Sequence, residues 1–120
     1  MNDYRAPVNE MRFVMDELAG FKELSQIPGY EEATPDVADA ILEEAARFTS
    51  EVIAPLNQVG DKQGCTLTSN GVTTPPGWKE AYKQFCESGW NGIASPADFG
   101  GQGLPDTLAV AVKEMVCSAS

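Results

Sequence analysis

The sequence predicts an all-α fold, an up-and-down bundle of about four helices joined by long Gly- and Pro-rich connections. Three observations carry that expectation. Apolar residues recur at helical spacing in four separate stretches. Hydrophobic residues make up 42% of the 120 residues and charged ones 22%, enough for a core inside a solvated surface. No run alternates apolar and polar residues well enough to read as a strand, although Cys65 to Val72 has room for a short extended piece around Thr66 and Thr68.

The first helix is expected from about Pro7 to Ala19. Met11, Val14, Met15 and Leu18 share one face, Pro7 suits a first turn, and Gly20 suits a stop. The second begins at Thr34 as cap, with Pro35 at the first helical position and Asp36 near the positive end of the dipole. Its stripe is Val37, Ile41, Ala45, Phe48 and Val52, and Pro55 is expected to kink or end it, because proline lacks the donor N–H. Residues 57 to 77 then read as a long connection, rich in Asn, Gly and Pro. The third helix, about Trp78 to Glu87, places Trp78, Ala81, Tyr82 and Phe85 on one face before Gly89. The fourth starts near Asp106 as cap and carries Leu108, Ala111, Val112, Met115 and Ala119. It is still running at Ser120 without a stop signal, so the chain is expected to be a fragment. A leftover apolar face, such as Trp90 with Phe99, would need a further domain to cover it.

Composition narrows the function. Eight Lys and Arg against eighteen Asp and Glu give a net charge of −10, most of it in residues 1 to 60. Without a basic patch the chain is a poor binder of nucleic acid or of an anionic membrane surface. With no His, it lacks Ser-His and Cys-His nucleophile pairs and the commonest metal ligand, and no metal site is expected. Cys65, Cys86 and Cys117 are odd in number and widely spaced, which reads as reduced thiols in the cytoplasm. No stretch has the length of a membrane helix, and Met1 to Arg12 does not read as a signal peptide.

Local motifs yield little chemistry by themselves. Gly100-Gly101-Gln102-Gly103 lacks the Lys and the preceding strand of a phosphate loop, and reads as a turn with glycines at positive φ. Asp98-Phe99-Gly100 spells a kinase magnesium motif with none of its companions. Glu31-Glu32 and Glu43-Glu44 are adjacent, so each pair points two ways and reads as solvated surface. Cys117, one turn beyond Lys113, is expected to be buried as a small apolar residue.

The order of several motifs is more informative. Phe48-x-x-Glu51-x-x-Ala54-Pro55, Asp61, Gly89-Trp90-x-Gly92, Ser95-Pro96-Ala97-Asp98-Phe99-Gly100-Gly101-Gln102-Gly103 and Glu114 follow one another in a pattern that resembles the N-terminal helical domain of acyl-CoA dehydrogenases. Ala97-Asp98 stands where that family has two acids, and Lys113-Glu114 where it often has Glu-Glu. Tyr4-Arg5-Ala6-Pro7, Met11-Arg12-Phe13 and Ile27-Pro28-Gly29-Tyr30 resemble an N-terminal extension found in the bacterial methylmercaptopropionyl-CoA dehydrogenase-like subgroup. The resemblance divides the chain into an extension, 1–32, and an incomplete helical domain, 33–120.

The resemblance implies an oxidoreductase that converts an acyl-CoA to the trans-2-enoyl-CoA with FAD and passes electrons to an electron-transfer flavoprotein. The catalytic base and most flavin contacts lie in domains beyond these residues, so the chain alone is expected to be inactive, with no catalytic or cofactor-binding residue of its own. Its implied role is to wall the acyl pocket through Cys117, Ser118 and Ser120, with Pro96, Phe99, Gly100, Gly101 and Gly103 forming a structural loop. The implied partners are the remaining domains, the acyl-CoA and a second copy of the whole protein. Two alternatives stand beside this: a self-standing acidic helical interaction module, and a related acyl-CoA oxidase or flavin monooxygenase.

Overall fold

Thr34 begins one of the two fourteen-residue helices. Its Oγ1 accepts the Val37 N–H at 3.4 Å, and Pro35 occupies the first helical position, where no donor is needed. The computed structural model describes residues 3–120 and is mostly helical. Its elements are α1 (Val8–Phe13), α2 (Phe21–Leu24), α3 (Pro35–Phe48), α4 (Ala54–Gln63), β1 (Thr66–Thr68), β2 (Gly71–Thr73), α5 (Trp78–Glu87) and α6 (Asp106–Ala119). Short 3-10 turns cover Trp90–Gly92 and Ala97–Phe99.

Two π-helical turns explain where the sequence reading shifts. Residues Val14–Leu18 extend α1 with i→i+5 bonding, closed by the Ala19 N–H on the Val14 carbonyl at 2.9 Å. The wider turn keeps Met11 and Met15 in the core but rotates Val14 and Leu18 outward, so the expected face is only half buried. Residues Thr49–Ile53 join α3 directly to α4. In an α-helix the Pro55 ring would strike the carbonyl one turn back. The widened turn takes up that conflict, and the helix runs on to Gln63 instead of ending near Pro55. The expected connection over 57 to 77 is therefore shorter. It begins as helix and continues as an antiparallel hairpin with Thr66 opposite Thr73, Leu67 opposite Val72 and Thr68 opposite Gly71.

The stripe on α3 also sits one residue over. Ala38, Leu42, Ala45 and Thr49 are buried, Ile41, Phe48 and Val52 are half-buried, and Val37 is exposed. The cause is a helix packed on two sides, by α1 and by α6, where small Ala38 and Ala45 permit close approach. Thr49 lies wholly inside because its hydroxyl donates to the Ala45 carbonyl at 2.8 Å, so no polar group is stranded. On α6 the buried residues are the expected ones: Leu108, Ala111, Val112, Met115 and Ala119. The cap there is Pro105, with Asp106 the first helical residue.

One core unites the chain. Met11, Met15 and Phe21 from the first thirty-two residues pack in the same cluster as Leu42, Ile93, Leu108 and Met115. Arg12 ties the segment down from outside, with Nε 2.7 Å from Asp39 and Nη2 2.8 Å from Glu43. Those two carboxylates raise the guanidinium pKa further, Glu43 most. The molecule measures 53 × 34 × 17 Å along its principal axes. A helix with its side chains is about 10–12 Å across. So thin a slab leaves outer faces uncovered, and Phe99 stays 88% exposed. Trp90 is not left over with it: its ring packs on Phe48, centroids 6.3 Å apart.

Candidate functional site

The Gly-rich loop has the first claim on function, and its hydrogen bonds decide the matter. Every backbone N–H from Phe99 to Leu104 is already used. Phe99 and Gly101 donate to Pro96, Gly100 to Ala97, Gln102 to Gly92, Gly103 to Ser95 and Leu104 to Ile93, at 2.9 to 3.1 Å. The Gln102 amide adds a bond to the Gly89 carbonyl at 3.0 Å. No amide remains to face a phosphate. Gly101 is required because a Cβ there would collide with the Ser95 carbonyl. Pro96, Gly100, Gly101 and Gly103 thus form a clasp that fixes Ile93 in the core ahead of α6. Phe99 sits at the tip of the clasp, facing solvent.

A groove with a ligand-like shape lies beside a line of aromatic rings. A chain of rings runs from Trp90 through Phe48 to Phe85, 6.4 Å away, and on to Tyr82, 6.3 Å further. Beyond it is a groove of about 210 Å³ between the π turn, α4, α5 and the end of α6. Ile53, Leu56, Trp78, Tyr82, Phe85 and Val116 line it, with Ser120 at one edge. Trp78 can lie flat on α4 because residue 60 is glycine; a Cβ there would sit 2.7 Å from the indole. Next to the groove, and sharing Trp78 and Ser120, a more polar cleft of about 480 Å³ holds Asn57, Asp61, Cys65 and Thr74.

The groove is uncharged. Tyr82 is its one titratable lining group, and its phenol pKa is raised, first by the hydrogen bond with Cys86. It therefore stays neutral through the physiological range. Such an apolar, uncharged lining suits an apolar group. Neither groove nor cleft is lined by Lys or Arg, so nothing here answers the phosphates of a dinucleotide. Among the described residues no His, Cys, Asp or Glu cluster suits a metal ion.

The expected pocket residues separate. Ser120 borders both groove and cleft. Cys117 and Ser118 are exposed on other faces of α6, so the expected burial of Cys117 is corrected. Ser118 stands near Tyr4, whose phenol pKa is raised mainly by burial, with Ser118 lowering it and Glu114 raising it. Val116 is the α6 residue that the sequence reading missed. It lies one turn before Ser120 on the same face, and it follows Val112 by four, a spacing that marks it. The groove itself was hidden because Trp78, Tyr82 and Phe85 read equally well as core. Tyr82 is in fact 67% exposed.

No family model matches the chain. It is similar to the 3-methylmercaptopropionyl-CoA dehydrogenase of Ruegeria pomeroyi strain DSS-3, 40% identical over 116 residues that make up 97% of this chain. That alignment takes in 20% of the relative, so the chain spans about a fifth of its length. The resemblance to an acyl-CoA dehydrogenase therefore extends through nearly every described element, the first thirty-two residues included. By its name the relative is an oxidoreductase acting on a CoA thioester.

Proposed function

We propose that this chain is a helical wall of an acyl-CoA dehydrogenase, and that the whole protein oxidises an acyl-CoA to the trans-2-enoyl-CoA. The observation that carries the reading is 40% identity over 116 residues to a dehydrogenase of that class. The wall role is supported by the groove. Its volume of about 210 Å³ is below the roughly 300–1,000 Å³ common for a complete ligand site, which fits one wall of a larger pocket. An aromatic lining suits a short acyl chain, and sulfur against an aromatic edge is also favourable, as in a methylmercaptopropionyl group. In this reading Val116 and Ser120 face the acyl chain. Cys117 and Ser118 touch only what lies over the outer face of α6.

FAD belongs to the same proposal and is held by residues outside this chain, because the groove, cleft and clasp offer it no contact. The base that takes the α-proton is likewise outside. Electrons pass to an electron-transfer flavoprotein, and the assembly is a cytoplasmic homo-oligomer. Among the described residues no helix is long and apolar enough to cross a membrane.

The test uses the whole protein that carries this sequence. It should purify yellow, and it should reduce an artificial acceptor dye without oxygen when given 3-methylmercaptopropionyl-CoA or a short straight-chain acyl-CoA. A folded, colourless protein that no acyl-CoA changes would overturn the reading. Turnover that consumes oxygen and needs no acceptor would reassign it to the oxidase or monooxygenase alternative. A basic protein partner with no flavin would favour the acidic interaction module.

A further inference from the structure

The chain contains two Asn-Gly pairs, Asn70-Gly71 and Asn91-Gly92, and the structure treats them oppositely. Asn-Gly is the sequence most open to attack by a backbone nitrogen on the preceding side-chain amide, because glycine places no Cβ in the way. Sequence alone ranks the two pairs equally.

Asn91 sits in the 3-10 turn Trp90–Gly92, inside the clasp. The Gly92 N–H, which would have to attack, donates to the Gly89 carbonyl at 3.1 Å. The Gly92 carbonyl accepts from Gln102 at 2.9 Å and from Ser95 at 3.2 Å. Gly101 closes from the far side, 3.6 Å from where a Cβ on Gly92 would stand. Helical backbone also turns the following nitrogen away from the Asn side chain. Ring closure there requires the clasp to open.

Asn70 sits at the tip of the β1–β2 hairpin, where every residue from Cys65 to Thr74 is exposed. Gly71 has φ +111°, and beyond its chain neighbours no atom lies within 4 Å of where its Cβ would stand, so nothing from the rest of the fold packs on the tip there. The tip is held by Thr68, whose Oγ1 accepts the Asn70 N–H at 3.2 Å and donates to the Gly71 carbonyl at 3.0 Å. Two three-residue strands with no layer over them are marginal in water and open readily.

We propose that Asn70 is a site of spontaneous deamidation and isoaspartate formation, and that the clasp protects Asn91 from the same chemistry. The Gly71 nitrogen gives up its proton to water and bonds to the Asn70 Cγ. The Cγ–Nδ2 bond breaks, the departing nitrogen takes a proton back from water and leaves as ammonia, and a succinimide remains. One water then opens the ring at either carbonyl, yielding aspartate or isoaspartate, and nothing is oxidised or reduced. The product carries one more negative charge. In the isoaspartate form the main chain gains a carbon at the tip, which breaks the opposition of Thr68 and Gly71 and both bonds made by the Thr68 hydroxyl.

The experiment is peptide mapping of the whole folded protein that carries this sequence after incubation at mildly alkaline pH. Asp and isoAsp forms should build up at Asn70. Asn91 should lag by at least about tenfold, the ratio that an opening cost of about 1.4 kcal/mol imposes. In denaturant the two sites should convert at similar rates. Equal rates in the folded chain, faster loss at Asn91, or an Asn70 that stays intact while unfolded chain reacts would each overturn the proposal. Thr68→Ala, which removes both tip bonds, should speed Asn70 and leave Asn91 unchanged; slowing at Asn70 would count against it.

Discussion

On the α3–α6 side of the molecule, Leu42, Leu108 and Met115 vanish completely from solvent. On the α4–α5 side, Trp78 and Tyr82 remain at the surface and Leu67 in the hairpin is 81% exposed. Both sides are built from helices with apolar stripes of similar spacing. The difference is the number of neighbours. Between α1 and α6, α3 is covered twice, while the facing sides of α4 and α5 border a groove that the described residues leave open. A stripe with two partners becomes core; a stripe with one becomes the wall of a groove.

Substitutions can break this contrast. The largest effect is expected for Leu42→Ala, which empties a fully buried site and should cost roughly 2–5 kcal/mol in urea unfolding. A loss no larger than that of an exposed residue would mean the α3–α6 side is not the core. Gly101→Ala should cost about 1–3 kcal/mol, because the new methyl meets the Ser95 backbone, which has no rotamer to yield. Gly100→Ala is a control on the same loop: its Cβ meets open space, so the cost is that of positive φ alone.

Tyr82→Ser should leave stability within about 0.5 kcal/mol, since the side chain is mostly in water. The same change should weaken binding of an apolar fluorescent dye. Strong destabilisation with unchanged dye binding would make the aromatic stripe core after all. The smallest effect concerns Glu31, whose carboxylate oxygens both lie 3.1 Å from the Gly29 N–H. That bond lowers its pKa below the usual 4.5. The sign follows: the stabilisation is complete above pH 4.5 and is lost as acid carries the pH through the lowered value. Glu31→Gln should flatten that part of an acid-unfolding curve and leave neutral behaviour nearly unchanged.

Much of this was legible in the chain itself. Thr34-Pro35 marks a helix start through local chemistry, and the α6 stripe from Leu108 to Ala119 needs only periodicity to be read. The ordered motifs from Phe48 to Glu114 pointed to the family whose member the chain matches over 116 residues. The passage of the helix through Pro55 was not legible, because proline reads as a stop unless a π turn widens the backbone before it. Nor was the separation of Ser120 from Cys117 and Ser118, since a helix ending shows its faces only when a neighbour defines one.

By itself, then, the sequence determined where helices begin, which face of α6 is apolar, that the Gly-rich segment is a turn and which family the motifs resemble. These follow from bonds and spacings within a few residues. Tertiary structure decided that the loop's amides are all spent, that Trp78, Tyr82 and Phe85 border a groove, and that of two identical Asn-Gly pairs one is clasped by distant residues and one is held only within its own exposed hairpin. Each of those depends on what distant residues cover, and coverage is a property of the assembled fold.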